Sequence, residues 1–186
     1  MLKTVTVDDV MGWEPCWDRD EVEDAAGGRE ALTPLEIADL KIQAHERLWV
    51  LLRPEIIERK RLHELACVFA ECVLLRERGM GQEPDTRSWA AIETKRRWLR
   101  GEATDEQLAA AQAAASDAAE ATDEQLAAAL AAAWAAARDA RDAAEAAARA
   151  AWAAAWAASD AAWDAEIEWQ LEQVRLVLRD QAEGRW

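Results

Sequence analysis

The sequence predicts an all-α fold, a helical bundle with long alanine-rich helices and one short irregular N-terminal segment. Two observations support this. The run Gly101 to Gly184 has no internal glycine or proline and consists largely of alanine, the residue with the highest helix propensity. Upstream of it, apolar residues recur at helical spacing between clear start and stop signals. We therefore expect three regions: an arm or loop over 1–32, a helical core of three helices over 33–101, and long helices rich in alanine and Trp over 102–186.

The N-terminal region gives mixed signals. Its first ten residues alternate apolar and polar side chains, which fits a short strand, an extended arm or a helix that starts at Asp8. Trp13 and Trp17 follow, and then the acidic run Asp18 to Asp24 leads to a glycine pair. This pattern is typical of a loop held in place by two Trp side chains.

The helical core has clearer boundaries. Thr33, Pro34 and Glu36 form a capping-box signal, and the helix they start is expected to run to about Leu52, before Pro54. A second helix is expected from near Glu55 to about Arg78, closed by glycines, and a third after Pro84-Asp85-Thr86 until Gly101. The third helix carries the densest basic cluster in the chain. Either its members pair with nearby carboxylates, or they bind a phosphate or an acidic partner; they are Arg87, Lys95, Arg96, Arg97 and Arg100.

The alanine-rich run contains an identical repeat, because residues 103–111 and 121–129 both read ATDEQLAAA. Thr104 with Gln107 is a capping-box signal in the first copy. As one straight helix the run would be about 120 Å long, so we expect at least one break, near Ser116 to Thr122 or at Ser159–Asp160. From Ile167 onward apolar residues return, which predicts that the last helix packs on the core.

Trp residues in this run share one face of the predicted helix. At about 100° per residue, Trp134, Trp152, Trp156 and Trp163 form a stripe, and the opposite face is alanine. The stripe either lies inside the bundle or lines a groove that a ligand fills. The candidate ligand-binding residues are this stripe, the charged residues beside it and two members of the basic cluster: Trp134, Arg138, Arg141, Glu145, Arg149, Trp152, Trp156, Trp163, Arg96 and Arg97.

Charge and composition narrow the function. The formal net charge of −15 argues against general binding to nucleic acids or anionic membranes. The three cysteines form no CxxC pair, and no signal peptide or membrane span is recognisable, so a cytoplasmic protein is expected. His63, Glu64 and Cys67 make only a weak zinc signal. No nucleophile–base set or phosphate loop is recognisable, so we expect no enzyme activity and no cofactor.

Several segments together resemble the alanine-rich immunity protein family of bacterial polymorphic toxin systems, which has similar proteins in phages. The resemblance runs from about Thr33 to the C-terminus and includes the alanine tract. Its more specific parts are Leu65-Ala66-Cys67-x-Phe69-Ala70-Glu71, Pro84-Asp85-x-Arg87, Ala91-Ile92 and Trp98-Leu99-x-Gly101-Glu102. The resemblance implies an all-helical, non-catalytic protein that neutralises something, and it supplies no binding residues.

Two functions follow as hypotheses. The first is an immunity-associated protein that sequesters a toxin or defence effector, because an acidic inhibitor is steered onto basic clefts. The alternative is a sponge for a nucleotide-derived immune signal, in which Trp rings stack on bases and Arg side chains hold phosphates. In either case a homo-oligomer is expected, since long alanine faces pack readily against each other.

Overall fold

The structure, a computed structural model, describes residues 3–121, 149 and 160–185, with the backbone alone for 119–121 and 160–163. The predicted all-α class is confirmed, since helices dominate and the sheet consists of two two-residue strands. In chain order the elements are β1 (Val5–Thr6), α1 (Val7–Gly12), α2 (Arg19–Ala26), β2 (Ala31–Leu32), α3 (Pro34–Ala38), α4 (Ala44–Leu51), α5 (Arg59–Gly79), α6 (Thr86–Leu99), α7 (Asp105–Ala121) and α8 (Asp160–Glu183).

The N-terminal region, expected as an arm or loop, forms ordered secondary structure. Strands β1 and β2 pair antiparallel, with Val5 opposite Leu32. Helices α1 and α2 lie between these two strands in the chain. Each helix starts with a capping box, formed by Thr6 with Asp9 for α1 and by Asp18 with Glu21 for α2. The acidic run that looked like a loop is therefore a short helix whose first carboxylates satisfy its own N-terminal amides.

The first core helix, predicted as one element, is two. The Thr33 capping box is present as predicted, but α3 ends at Ala38 and α4 begins at Ala44. The carbonyl of Ala38 accepts from the guanidinium groups of Arg47, at 2.9 Å, and Arg175, at 2.6 Å. Two charge-assisted bonds therefore satisfy this helix-terminal carbonyl, which α3 itself leaves without an intrahelical partner.

Helices α5, α6 and α7 follow the predicted order. Helix α5 starts at Arg59 and not at Glu55, because the amides of Ile56 and Ile57 both turn back to the carbonyl of Arg53. Helix α6 starts at Thr86, one residue before the predicted start, with Asp85 as its N-cap. The Thr104 amide donates to the Gln107 side chain at 2.9 Å and the Gln107 amide to Thr104 at 3.3 Å, which confirms the capping box before α7.

Helix α7 packs on α6 through small side chains. Leu108, Ala115 and Ala118 are buried and recur at helical spacing. The helix continues through Ser116 to Ala121, so a break there is not seen within the described part. Residues 122–129, the rest of the second copy of the repeat, lie outside the described residues, as does Ser159.

Helix α8 returns to the core, which confirms the prediction for the last helix. Ile167, Leu171, Val174 and Leu178 are buried, and the helix contacts α3, α4 and α5. Ion pairs join α8 to the other helices: Arg76 with the buried Glu166, Arg47 with Glu168 and Arg175 with Asp39. In the described part of the chain, none of the helices has the length and apolarity that crossing a membrane requires.

Candidate functional site: an acidic surface beside a Trp cluster

Most of the predicted ligand-binding residues lie outside the described residues. This applies to Trp134, Arg138, Arg141, Glu145, Trp152 and Trp156. Arg149 is helical and exposed, and the backbone of Trp163 lies in the first turn of α8. Whether the Trp stripe faces a core or a groove therefore stays a prediction.

The other two predicted residues, Arg96 and Arg97, belong to the basic cluster on α6. Arg96 makes a two-pronged contact with Glu71 on α5, at 3.1 and 2.6 Å, and its guanidinium lowers the pKa of that carboxyl. Arg97 donates to the backbone carbonyl of Glu102 at 3.1 Å. Both side chains thus have partners within the protein.

The rest of the basic cluster is also engaged. Arg87 pairs with Asp85 at 2.7 Å, and the hydrogen bonds that Asp85 accepts from Arg87 lower the pKa of its carboxyl to about 2. Arg100 lies 2.9 Å from Glu102. Lys95 is fully buried, with its ammonium 4.3 Å from the centre of the Trp98 ring. Of the two sequence-based alternatives, the structure shows internal pairing with carboxylates for Arg87, Arg96 and Arg100.

A second group of aromatic and basic side chains lies where the N-terminal region meets α4. The rings of Trp17 and Trp49 meet edge to face, with 5.2 Å between their centres. The guanidinium of Arg53 stacks 3.8 Å from the Trp49 ring centre and 5.6 Å from that of Trp13. We call Trp13, Trp17, Trp49 and Arg53 the Trp cluster. All four are half-buried, so each keeps part of its surface in contact with solvent.

Carboxylates crowd the surface next to this cluster. Residues 3–32 contain nine acidic and three basic side chains, a net charge of −6. Helix α2 has two different sides. Val22, Ala25 and Ala26 share one side and are buried or half-buried, whereas Asp20, Glu23 and Asp24 share the other and are exposed. We call Asp20, Glu23 and Asp24 the acidic face.

Few basic side chains in the described part of the chain form ion pairs with the carboxylates of the acidic face. Glu23 lies 3.7 Å from Arg19, which also pairs with Asp8 at 2.7 Å. Asp20 and Asp24 make no ion pair with any residue that the structure describes. Two carboxylates of one short helix therefore keep their full charge toward solvent.

This combination suits protein recognition more than small-molecule chemistry. Trp and Arg are the side chains that most often dominate binding energy at protein interfaces, and surrounding charges set partner choice and association rate. The chain joins the two features directly, because Trp17 is followed by Asp18, the N-cap of α2. Sequence reasoning did not select this site. The available signal was the spacing of Trp13 and Trp17 immediately before an acidic run.

Two reactive side chains of the helical core, His63 and Cys67, are buried. Burial, with a smaller effect from Lys95, lowers the pKa of His63 to about 4. Burial raises the pKa of the Cys67 thiol to about 11, which leaves it protonated and unreactive at neutral pH. Within residues 3–121, 149 and 160–185, no three His, Cys, Asp or Glu side chains are grouped so as to hold a metal ion.

Comparisons with protein-family models, curated proteins and solved structures returned no match. The resemblance to the immunity protein family stays a prediction.

Proposed function

We propose that this protein binds and sequesters a basic protein, of the toxin or defence-effector kind, through the acidic face of α2 and the adjoining Trp cluster. The observation that carries the proposal is that α2, which bears the exposed carboxylates, begins directly after Trp17, and that Trp17 belongs to a cluster of three half-buried Trp side chains. Sequestration requires no catalytic group; it requires a surface that covers the partner's working site.

Electrostatic attraction is the first contribution to the proposed binding, because it raises the association rate and orients the partner. Complementary charge raises association rates from about 10⁵–10⁶ to as much as about 10⁸–10⁹ M⁻¹s⁻¹ at low salt. With a net charge of −15 on the whole chain, a basic partner is attracted from every direction, and the uncompensated carboxylates of α2 orient it. Acidic partners and nucleic acids are repelled by the same field.

The Trp cluster is the second contribution to the proposed binding, because it provides aromatic surface for contact with the partner. A Trp that is half-buried in the free protein has a ring face or edge left to pack against a partner, and its position is already fixed by its neighbours. Arg53 contacts the rings of both Trp13 and Trp49, so little side-chain entropy is lost on binding. Pre-ordered aromatic groups of this kind are typical of binding hot spots.

The proposal is tested by affinity capture from cells that carry the partner, with matched charge variants. Asp20→Asn/Asp24→Asn removes two charges from the acidic face. Glu93→Gln/Asp164→Asn removes two charges from exposed positions on α6 and α8. We expect the wild type and the control to retain one basic protein that the acidic-face variant loses. Equal capture by all three, or no captured protein, would contradict the proposal.

Native mass spectrometry of the captured sample distinguishes the nucleotide alternative. A bound protein adds a mass of many kilodaltons, whereas a nucleotide signal adds only several hundred daltons. If only the mass of a nucleotide is found, with no protein bound, the result contradicts sequestration of a protein and supports sequestration of a nucleotide. The same spectra give the number of copies of this chain in the complex.

A further inference from the structure

A cavity of about 160 Å³ lies within the N-terminal region, on the inner side of α2. The strand pair, α1, α3 and α4 complete its walls. The wall residues are mostly apolar and include Val10, Val22, Ala26, Leu32, Ile37 and Val50. Trp17 of the Trp cluster also lines the cavity, whereas none of the three residues of the acidic face does.

The size of the cavity indicates what fits inside. Protein interiors are close-packed, and voids much larger than a water molecule are few. An apolar cavity of about 150 Å³ in another protein stays dry and takes up benzene, so a cavity of 160 Å³ accommodates one compact apolar group of that size. Short side chains create the space, because Ala25 and Ala26 occupy the wall positions contributed by the end of α2.

The charged residues that line the cavity indicate which charge the polar end of a ligand would carry. Three carboxylates, Glu21, Glu30 and Glu46, line the cavity together with a single guanidinium, that of Arg29. The Arg29 side chain is turned to other partners, since it donates to the Ala26 carbonyl at 2.8 Å and lies 3.9 Å from Glu36.

The carboxylates keep acceptor capacity. Glu21 and Glu46 each use one oxygen to cap a helix, accepting from the amides of Asp18 and Gln43. Each carboxylate has two oxygens and about four lone-pair sites, so acceptor sites remain. Glu30 is exposed, and no residue that the structure describes pairs with it. The polar part of the lining is thus predominantly negative.

We propose that this cavity binds a small organic cation: an apolar body of about the size of a benzene ring, with an ammonium group that reaches the carboxylates. The cavity lies on the side of α2 opposite the acidic face, and it shares one wall residue, Trp17, with the Trp cluster.

Two nearly isosteric probes test both parts of the proposal. Phenethylamine and 3-phenylpropionate each carry a phenyl ring on a short chain, and they differ in the sign of the terminal charge. Binding is measured with the full chain by NMR titration, following the methyl signals of Val22 and Leu32. We expect phenethylamine to bind at millimolar concentration or below, and at least about ten-fold more tightly than 3-phenylpropionate.

Variants of the cavity wall test whether phenethylamine binds inside the cavity. Ala26→Leu and Ala25→Leu each add three carbons at the cavity wall, and either should weaken phenethylamine binding at least about ten-fold. Two positions are used because one enlarged side chain can prevent folding, which circular dichroism detects. Glu30→Gln should weaken phenethylamine several-fold and should not weaken 3-phenylpropionate, whose own carboxylate Glu30 repels. Glu93→Gln is the matched control and should change neither.

Three results would overturn the proposal. They are no phenethylamine binding up to about 10 mM, unchanged binding in the folded Ala25 and Ala26 variants, and equal affinity for the two probes. Each of these leaves the protein-sequestration proposal untouched, since the cavity variants keep the acidic face and the Trp cluster.

Discussion

The buried histidine between α5 and α6 should make the protein unstable in mild acid. His63 is 4% exposed, and its ring meets that of Trp98 edge to face at 5.8 Å. Burial and, to a smaller degree, the charge of Lys95 favour the neutral imidazole and lower the pKa of His63 to about 4 in the folded protein. In the unfolded chain its pKa is about 6.5. Below pH 6.5 only the unfolded state takes up this proton, so stability falls with pH until about pH 4.

The size of the effect follows from the two pKa values. Between pH 7 and pH 5 the linkage relation gives a loss of about 2 kcal/mol in the free energy of unfolding. Carboxyl groups whose pKa is lowered in the fold, such as Glu71 and Asp85, act below this window.

Urea unfolding at pH 7, 6 and 5 measures this loss in the wild type and in His63→Leu. The variant lacks the titrating group, so its stability should change by less than about 0.5 kcal/mol over the same range. His45→Gln, which removes the exposed histidine, is the matched control and should follow the wild type. If His63→Leu lost as much stability as the wild type, the assignment of the acid sensitivity to this burial would be refuted.

Three further predictions concern the core, the thiols and the Trp cluster. Arg76→Met should lower the free energy of unfolding by about 3 kcal/mol in a urea titration, because it removes a partner of the buried Glu166 carboxylate; a loss below 1 kcal/mol would contradict this. In a thiol-reagent assay, exposed Cys16 should react within seconds to minutes, whereas Cys67 should react only after unfolding; equal rates would refute the assigned burial. Trp13→Ala should weaken partner binding at least about ten-fold in calorimetry, and unchanged affinity would exclude this ring from the interface.

Local signals in the sequence predicted the start of several helices. Capping depends on residues three apart, so Thr33 with Glu36 and Thr104 with Gln107 identify helix starts without any tertiary information. The same signal is present at Asp18 with Glu21, where the high charge of the run favoured a loop in the sequence analysis.

The structural features that the sequence analysis did not predict depend on tertiary contacts. The break after Ala38 depends on Arg175, which lies 137 residues further along the chain and donates to the Ala38 carbonyl. No local pattern contains that information. The internal pairing of Arg96 depends in the same way on Glu71, which α5 brings to it.

The candidate surface also depends on tertiary contacts. Trp13 and Trp17 are visible as a pair in the sequence, but Trp49 and Arg53 join them only when α4 packs against the N-terminal region. The predicted site relied on the alanine-rich run, where four Trp at helical spacing gave the strongest periodic signal. Periodicity identifies a face of a helix, whereas a binding surface is formed by several elements together.

The most direct test of protein sequestration is the rate at which the captured partner associates with this chain at low and high salt. Stopped-flow measurements at about 20 and 300 mM salt should show at least a ten-fold fall in the wild-type rate. Asp20→Asn/Asp24→Asn should slow association at low salt by about five-fold, and Glu93→Gln/Asp164→Asn by much less. A rate that is independent of salt, or equally slowed in both variants, would contradict recognition through the acidic face of α2.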